Sequence, residues 1–344
     1  MAGLTAEAKA SGSLAVGRRF PRRPLVLTGL GLFALAAIGM LTMMYGAITL
    51  SPAEALSGLT SDSDGLARPV VWQIRFPRFL DAMLVGATLA VAGAMLQGVT
   101  RNPLADPTIF GLTAAAGLAS SAAIVINPQI PQWAIAMACM VGGLSGAGIL
   151  FVIAYRGAVS PVRLALAGVA LSAFFGAIIV ALLSSSRTFL QTSLGFLAGG
   201  LYASEWNDFR SVLPYALPAF AGAFILSGRL NILSLGDDIA TGLGVLADRT
   251  RLAILAIAGI LTASAVAIAG LVSFVGLLSP HVARYAVGSD NRYLIPASAL
   301  VGAILVSSAD LVAKLVIRPS EIPMGIITAA IGAPFLLYLV KFKA

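Results

Sequence analysis

The chain has 344 residues, of which 59% are hydrophobic and only 10% charged, with a mean hydropathy of +0.96; a soluble domain carries about 25% charged residues. That composition excludes a soluble enzyme and, despite a net charge of +8, a nucleic-acid-binding module; it describes a polytopic membrane protein. Cys139 is the lone cysteine and lies inside an apolar run, which excludes a disulfide framework and a cysteine-based metal site.

In chain order, residues 1–24 are polar and small, ending in Arg18, Arg19, Arg22 and Arg23, and read as a cytoplasmic N-terminal tail. Residues 25–344 read as a single transmembrane domain. Leu25 to Leu50 is too long for the apolar core of a signal peptide, so it is expected to be a retained first helix. Further apolar windows run from Phe79 to Val99, Thr108 to Ile126, Trp133 to Tyr155, Leu164 to Leu183, and Val212 to Leu226. They continue with Leu252 to Ile268, a proline-broken piece from Gly270 to Val287, Leu294 to Ile317, and Ile322 to Val340. At about 20 residues per crossing, these windows predict ten transmembrane helices with both termini on one side. With the termini in the cytoplasm, 15 of the 22 basic residues fall inside, as the positive-inside rule demands.

Two connections are long enough to fold. In the outer one, Phe189 to Tyr202 is expected to lie at the interface or dip into the protein. In the inner one, Ser227 to Arg251 is divided by Gly236, Gly242 and Gly244 and is expected to form two short surface helices. A five-residue echo, Leu89 to Gly93 against Val266 to Gly270, leaves an inverted repeat open.

The stretch Trp72 to Leu112 carries the most information. Arg75 and Arg78 flank Pro77 at its start. An apolar run follows whose small residues, among them Gly86 and Gly93, would admit a close neighbouring helix, with Gln97 as its one amide. A polar turn from Arg101 to Pro107 ends it. Arg75, Arg78, Lys314 and Arg318 fall at outer helix ends, where they either reach lipid phosphates or form a basic docking surface for an acidic partner. Asp310 lies one turn before Lys314 and is placed to pair with it. The turn from Arg101 to Pro107 and the connection from Arg156 to Arg163 are both inner, and both contain proline.

Gly236-Asp237-Asp238 places acids at a helix start, where they complement the dipole and make a poor metal site. His281, the single histidine, follows Pro280 and reads as packing or capping. The sequence contains no G-x-x-x-x-G-K-[ST] phosphate loop, so any ATP hydrolysis by that device belongs to another subunit.

Five blocks in order, IRFPRFLDAMLVGATLAVAGAMLQGVTRNPLADPTIFGL, LALAGVALSAFFGA, LSLGDDIATGLGV, GLVSFVGLLSPHVARYAVGSDNRYLIP and ADLVAKLVIRPSEIPMGIITAAIGAPFLLYL, resemble the FecCD-type permeases. These are the membrane subunits of bacterial ABC importers for ferric siderophores, haem and vitamin B12. The resemblance spans about Trp72 to Tyr338. It implies an all-α, ten-helix type II importer permease in the bacterial inner membrane. It also implies a second permease, two ABC ATPases that carry ATP and Mg, and a periplasmic or lipid-anchored binding protein, with no cofactor or metal in this chain. By the same resemblance, Arg75, Arg78 and Lys314 dock the binding protein. Asn102, Leu104, Ser160 and Pro161 form the cytoplasmic gate. Leu235, Gly236, Asp237, Asp238, Gly242, Leu243 and Gly244 couple to the ATPase. Ferric siderophore leads as cargo, with haem and vitamin B12 behind. A transporter driven by protons through Asp310 or Asp81 and a structural scaffold are the rival readings.

Overall fold

The computed structural model describes residues 22–60, 67–185, 195–202, 204–317 and 320–343. Residues 1–21 of the expected tail, Arg187, residues 189–194 of the outer connection and Arg318 lie outside them, and the tail's last three residues, 22–24, belong to the first helix. The elements are α1 (Arg22–Met44), α2 (Pro52–Thr60), a π-helical turn (Pro69–Arg75) running into α3 (Phe76–Thr100), α4 (Leu112–Ile126), α5 (Gln132–Ala154) and α6 (Pro161–Ser185). They continue with α7 (Trp206–Ser234), α8 (Asp237–Gly242), α9 (Ala247–Ala269), α10 (Val275–Val287), α11 (Asn291–Leu315) and α12 (Met324–Lys343). No β-strand forms among the described residues; Tyr155 and Val159 make one isolated bridge.

Each of the ten apolar windows coincides with a helix, because an apolar backbone in a membrane must satisfy its own hydrogen bonds. Among the described residues, seven helices are long and apolar enough to cross a membrane. The windows at α4, α10 and α12 fold into shorter or less apolar helices. In the proline-broken window, α9 ends at Gly270 (φ +70) and residues 271–274 are irregular before α10 begins. Leu271 N–H donates to the Phe196 carbonyl at 2.9 Å, so a neighbouring segment satisfies this backbone inside the protein.

α3 is the axis of the molecule, with 78% of its apolar window buried; α1 and α6 bury only 22% and lie at the periphery. In lipid, apolar side chains gain little by leaving one apolar environment for another, so close backbone packing holds helices together. The small residues of α3 serve that packing. A Cβ at Gly86 would overlap the Gly302 carbonyl of α11, and one at Gly93 would overlap the Gly276 carbonyl of α10. The two halves of the five-residue echo are both helical but differ at their glycines: Gly93 is inside α3, whereas Gly270 terminates α9.

The inner connection differs from expectation. It holds one short helix, α8, where two were expected. Leu226, Leu230 and Leu233 are buried in the core, so α7 continues through them to Ser234. Thr250 and Arg251 are likewise buried and become the first turns of α9. In the outer connection, residues 195–202 enter the protein: Gly200 N–H donates to the Ala269 carbonyl at 3.0 Å, and the Gly199 carbonyl accepts from Gly325 N–H at 2.8 Å.

Candidate functional site

The predicted residues collect at the two ends of α3, which at 1.5 Å per residue are about 35 Å apart. At the Arg78 end, the π-helical turn adds a residue to the helical pitch and swings Arg75 toward α1. The Arg75 guanidinium donates to the carbonyls of Met43 and Ile48, closing the link after α1, and the residue is only 7% exposed. Arg78 points the other way. Its Nε and Nη2 straddle the Asp310 carboxylate at 2.8–3.2 Å, and its Nη1 meets Glu321 Oε2 at 2.7 Å. The Lys314 Nζ lies 2.7 Å from Asp310, making the i,i+4 pair expected from the sequence. Asp310 is 2% exposed and serves two cations; Glu321 forms the outer edge of the cluster. Arg78 and Lys314 are therefore brought together, while Arg75 is built into the α1 link. Beside them, Trp72 stacks on Phe76 and Trp206 packs at an angle against both, with the Trp206 indole N–H donating to the Trp72 carbonyl at 2.9 Å.

The other end holds two turns and α8. α3 stops at Arg101, whose φ of +52 is a left-handed conformation normally given to glycine at a helix C-terminus. Asn102 Oδ1 accepts from Leu104 N–H at 2.9 Å and Asp106 Oδ1 accepts from Thr108 N–H at 2.8 Å, adding side-chain bonds to backbone ones such as Ala105 N–H to the Asn102 carbonyl at 3.1 Å. The Ser172 hydroxyl of α6 donates to the Thr108 carbonyl at 2.6 Å. Gln97, noted as the one amide of its helix, ties this turn to α10. Its Nε2 lies 3.3–3.4 Å from the carbonyls of Ala105, Gly276 and Leu277, and its Oε1 accepts from Arg284 at 3.1 Å. The second turn, residues 155–160, leads into α6. Ser160 and Pro161 are half-buried there, and the Ser160 carbonyl accepts from Leu164 N–H at 3.0 Å.

Between the turns sits α8. Gly236 precedes it at φ +126, and Gly244 follows at φ +78; an added Cβ would meet nothing at either or at Gly242, so conformation and exposure define them. Asp237 accepts from Arg101 and, at 2.6 Å, from Arg251. The Arg251 hydrogen bond holds the Asp237 carboxyl below the ordinary carboxylate range, and the charges of Arg251 and Arg101 add to it. Asp238 is exposed and makes no hydrogen bond or ion pair among the described residues. Leu235, Ile239, Leu243 and Leu246 are each more than half exposed (51–62%), beyond the ends of α7 and α9. Arg251 and Arg284 were missed by sequence reasoning beyond their place in the charge balance. Their signal is burial or half-burial of an arginine, which a sequence does not display.

Among the described residues, no cluster of His, Cys, Asp and Glu could hold a metal. The His281 ring packs edge-on against Tyr285 and Phe335. Cys139 is buried.

Long apolar helices around a buried axial helix, with shorter helices and irregular backbone enclosed among them, define a multi-pass membrane protein. The model of the FecCD transport family matches residues 34–342, and the chain belongs to that family. It is 38% identical over 326 residues to the Fe(3+)-citrate import system permease protein YfmE of Bacillus subtilis (strain 168), covering 95% of this chain and 98% of that one. It is 40% identical over 276 residues to the cobalamin import system permease protein BtuC of Halobacterium salinarum, covering 80% of this chain and 74% of that one. A solved inward-facing structure of a metal-chelate type ABC transporter superposes with a TM-score of 0.81 at 32% identity, over 92% of this chain and 99% of that one.

Proposed function

We propose that this chain is the membrane-spanning permease subunit of an ATP-driven importer that takes up an iron chelate, with ferric siderophore as the leading cargo. The single observation that carries the reading is the exposed apolar stripe Leu235, Ile239, Leu243 and Leu246 around α8. Large aliphatic side chains held outside the apolar spans by a short, glycine-bounded helix form a docking knob for another protein. The chain has no phosphate loop of its own, so a separate ATPase is the partner that gives this knob a purpose. The iron(III)-citrate and cobalamin permeases among the relatives set the range of cargo; haem and vitamin B12 remain the alternatives.

In this reading the α8 end faces the cytoplasm, both termini are cytoplasmic, ten helices cross the inner membrane and two permease chains enclose the path. The turns holding Asn102, Leu104, Ser160 and Pro161 close that path on the inside. The Arg78 end faces a substrate-binding protein; Arg78, which keeps 12% of its surface, and the outer Glu321 are the accessible part of the buried cluster. An ATPase seated on α8 must bind it differently in its two nucleotide states, or nothing is transmitted. Asp310 is engaged by both Arg78 and Lys314, which leaves it poorly suited to carry protons.

The test is uptake of a radiolabelled ferric chelate into proteoliposomes holding the whole complex. Uptake is expected to require ATP and to survive collapse of the proton gradient. Uptake driven by that gradient without ATP would overturn the proposal. Gly242→Arg adds a bulky charge beside Leu243 where the structure is open, so the chain should fold normally yet lose the link between ATP hydrolysis and uptake. Normal stimulated uptake by that variant would count against the assignment.

A further inference from the structure

We infer that Asp237 is a positioning residue that joins α8 to both turns at its end of the molecule, so that a partner moving α8 moves the two turns together. The inference rests on the importer reading and deepens it by naming the linkage.

Asp237 Oδ1 is shared by two guanidinium groups that arrive from different directions. Arg101 reaches it from the end of α3 while its Nε donates to the Leu233 carbonyl at 3.1 Å. Because Arg101 is also the first residue of the turn holding Asn102 and Leu104, its side chain ties that turn directly to α8. Its left-handed backbone costs about 1 kcal/mol or more for a residue with a side chain. Glycine would remove that cost and lose the link.

Arg251 reaches Asp237 from α9, with its Nη1 donating to the Val159 carbonyl at 3.1 Å. Asp248, 3.7 Å from Arg251, accepts the Val159 N–H at 3.2 Å. Val159 is therefore held at both its backbone groups, and it immediately precedes Ser160 and Pro161. One carboxylate thus contacts the first turn through one arginine and the second through another.

Exposure separates the two links. The side chain of Arg251 is 1% exposed and moves only together with the start of α9 and the Val159 backbone that it holds. Those of Asp237 and Arg101 are 43% and 36% exposed. Water can replace their contact at small cost, so it can break and reform. Hydrogen bonds weaken steeply once stretched or bent, so a shift of α8 by on the order of an ångström disturbs both arginines at once. The adjacent Asp238, pointing outward without a partner among the described residues, does not share this role.

The test compares wild type with Asp237→Asn, Asp237→Glu and Glu54→Gln in the full complex of permease, ATPase and binding protein. Glu54→Gln removes an exposed carboxylate from α2, at the far end of the molecule. Three quantities are read: ATPase retained on purification, chelate transported per ATP hydrolysed, and the nucleotide-driven change in distance between spin labels at residues 103 and 158. Asp237→Asn is expected to retain its ATPase and hydrolyse ATP, to transport about five-fold less or worse per ATP, and to lose the distance change. Asp237→Glu is expected to recover most of both, and Glu54→Gln to match wild type. An Asp237→Asn complex with wild-type transport per ATP and an unaltered distance change overturns the inference alone. Loss of the ATPase on purification also overturns it, since Asp237 would then hold the partner and not the turns. A wild-type complex that transports nothing with ATP overturns the importer reading and the inference with it.

Discussion

The axial role of α3 makes one substitution decisive. Gly86→Ala adds a single methyl carbon facing the Gly302 carbonyl of α11, and that contact is backbone against backbone, with no flexible side chain to yield. Non-bonded heavy atoms settle at about 3.5–4.0 Å, so α3 and α11 must separate by on the order of an ångström. Overpacking of this kind costs about 1–3 kcal/mol. Against it stands a gain of about 0.4–1 kcal/mol, because alanine loses less chain entropy than glycine on folding. The net expectation is destabilisation centred on about 1.3 kcal/mol and reaching about 2.6. Gly176→Ala in α6 provides the same chemical change where a Cβ meets nothing within 4 Å, so only the favourable contribution remains. The assay is the apparent melting temperature of the purified chain in one detergent at one scan rate, since such unfolding is seldom reversible. Gly86→Ala should melt several degrees lower than wild type and Gly176→Ala no lower. Equal shifts for the two variants would refute the claim that α3 and α11 are held by backbone approach at this glycine.

Asp310→Asn leaves Arg78 and Lys314 buried with Glu321 as their one remaining acid, and breaking a buried pair costs about 3–5 kcal/mol; loss of monodisperse protein and a lower melting temperature check it. Asp237 has its carboxyl held below the ordinary value of 3.8, so its contribution is complete above that value and is lost as the pH falls through the lower folded one. Amide-exchange protection of residues 232–245, corrected for intrinsic rate, should therefore stay level from about pH 8 to 5, and Asp237→Asn should reduce it across that whole range.

Much of this molecule is legible in its sequence, for identifiable reasons. Hydropathy located the ten helical windows because the demand for internal backbone hydrogen bonding acts on every residue of a span. The i,i+4 spacing of Asp310 and Lys314 disclosed their pair because helix geometry alone sets it. The small residues at positions 86 and 93 announced close approach, though not which helices approach. Arg78 and Asp310 are 232 residues apart, so nothing local foretells their contact. Arg75 looked like Arg78's companion until the π-helical turn sent the two side chains to different neighbours. The glycines at 236, 242 and 244 marked a break correctly, yet the helix count there was set by Leu230, Leu233 and Arg251 joining the packed core, a tertiary outcome that spacing does not encode.

The two ends of α3 solve the same electrostatic problem in opposite ways. At each, one aspartate serves two cations from different parts of the chain: Asp310 holds Arg78 and Lys314, and Asp237 holds Arg101 and Arg251. The Asp310 side chain is 2% exposed, and separating its charges means stranding them away from water, so that cluster fixes α3 against α11. The Asp237 side chain is 43% exposed and that of Arg101 36%, and water stands ready to receive those two groups, so the same number of cations makes a joint that can open on its Arg101 side. On the importer reading proposed above, a transporter worked from the α8 end needs both properties. The rigid cluster would let a displacement of α8 act against a fixed axis, and the exposed joint would carry that displacement to both turns.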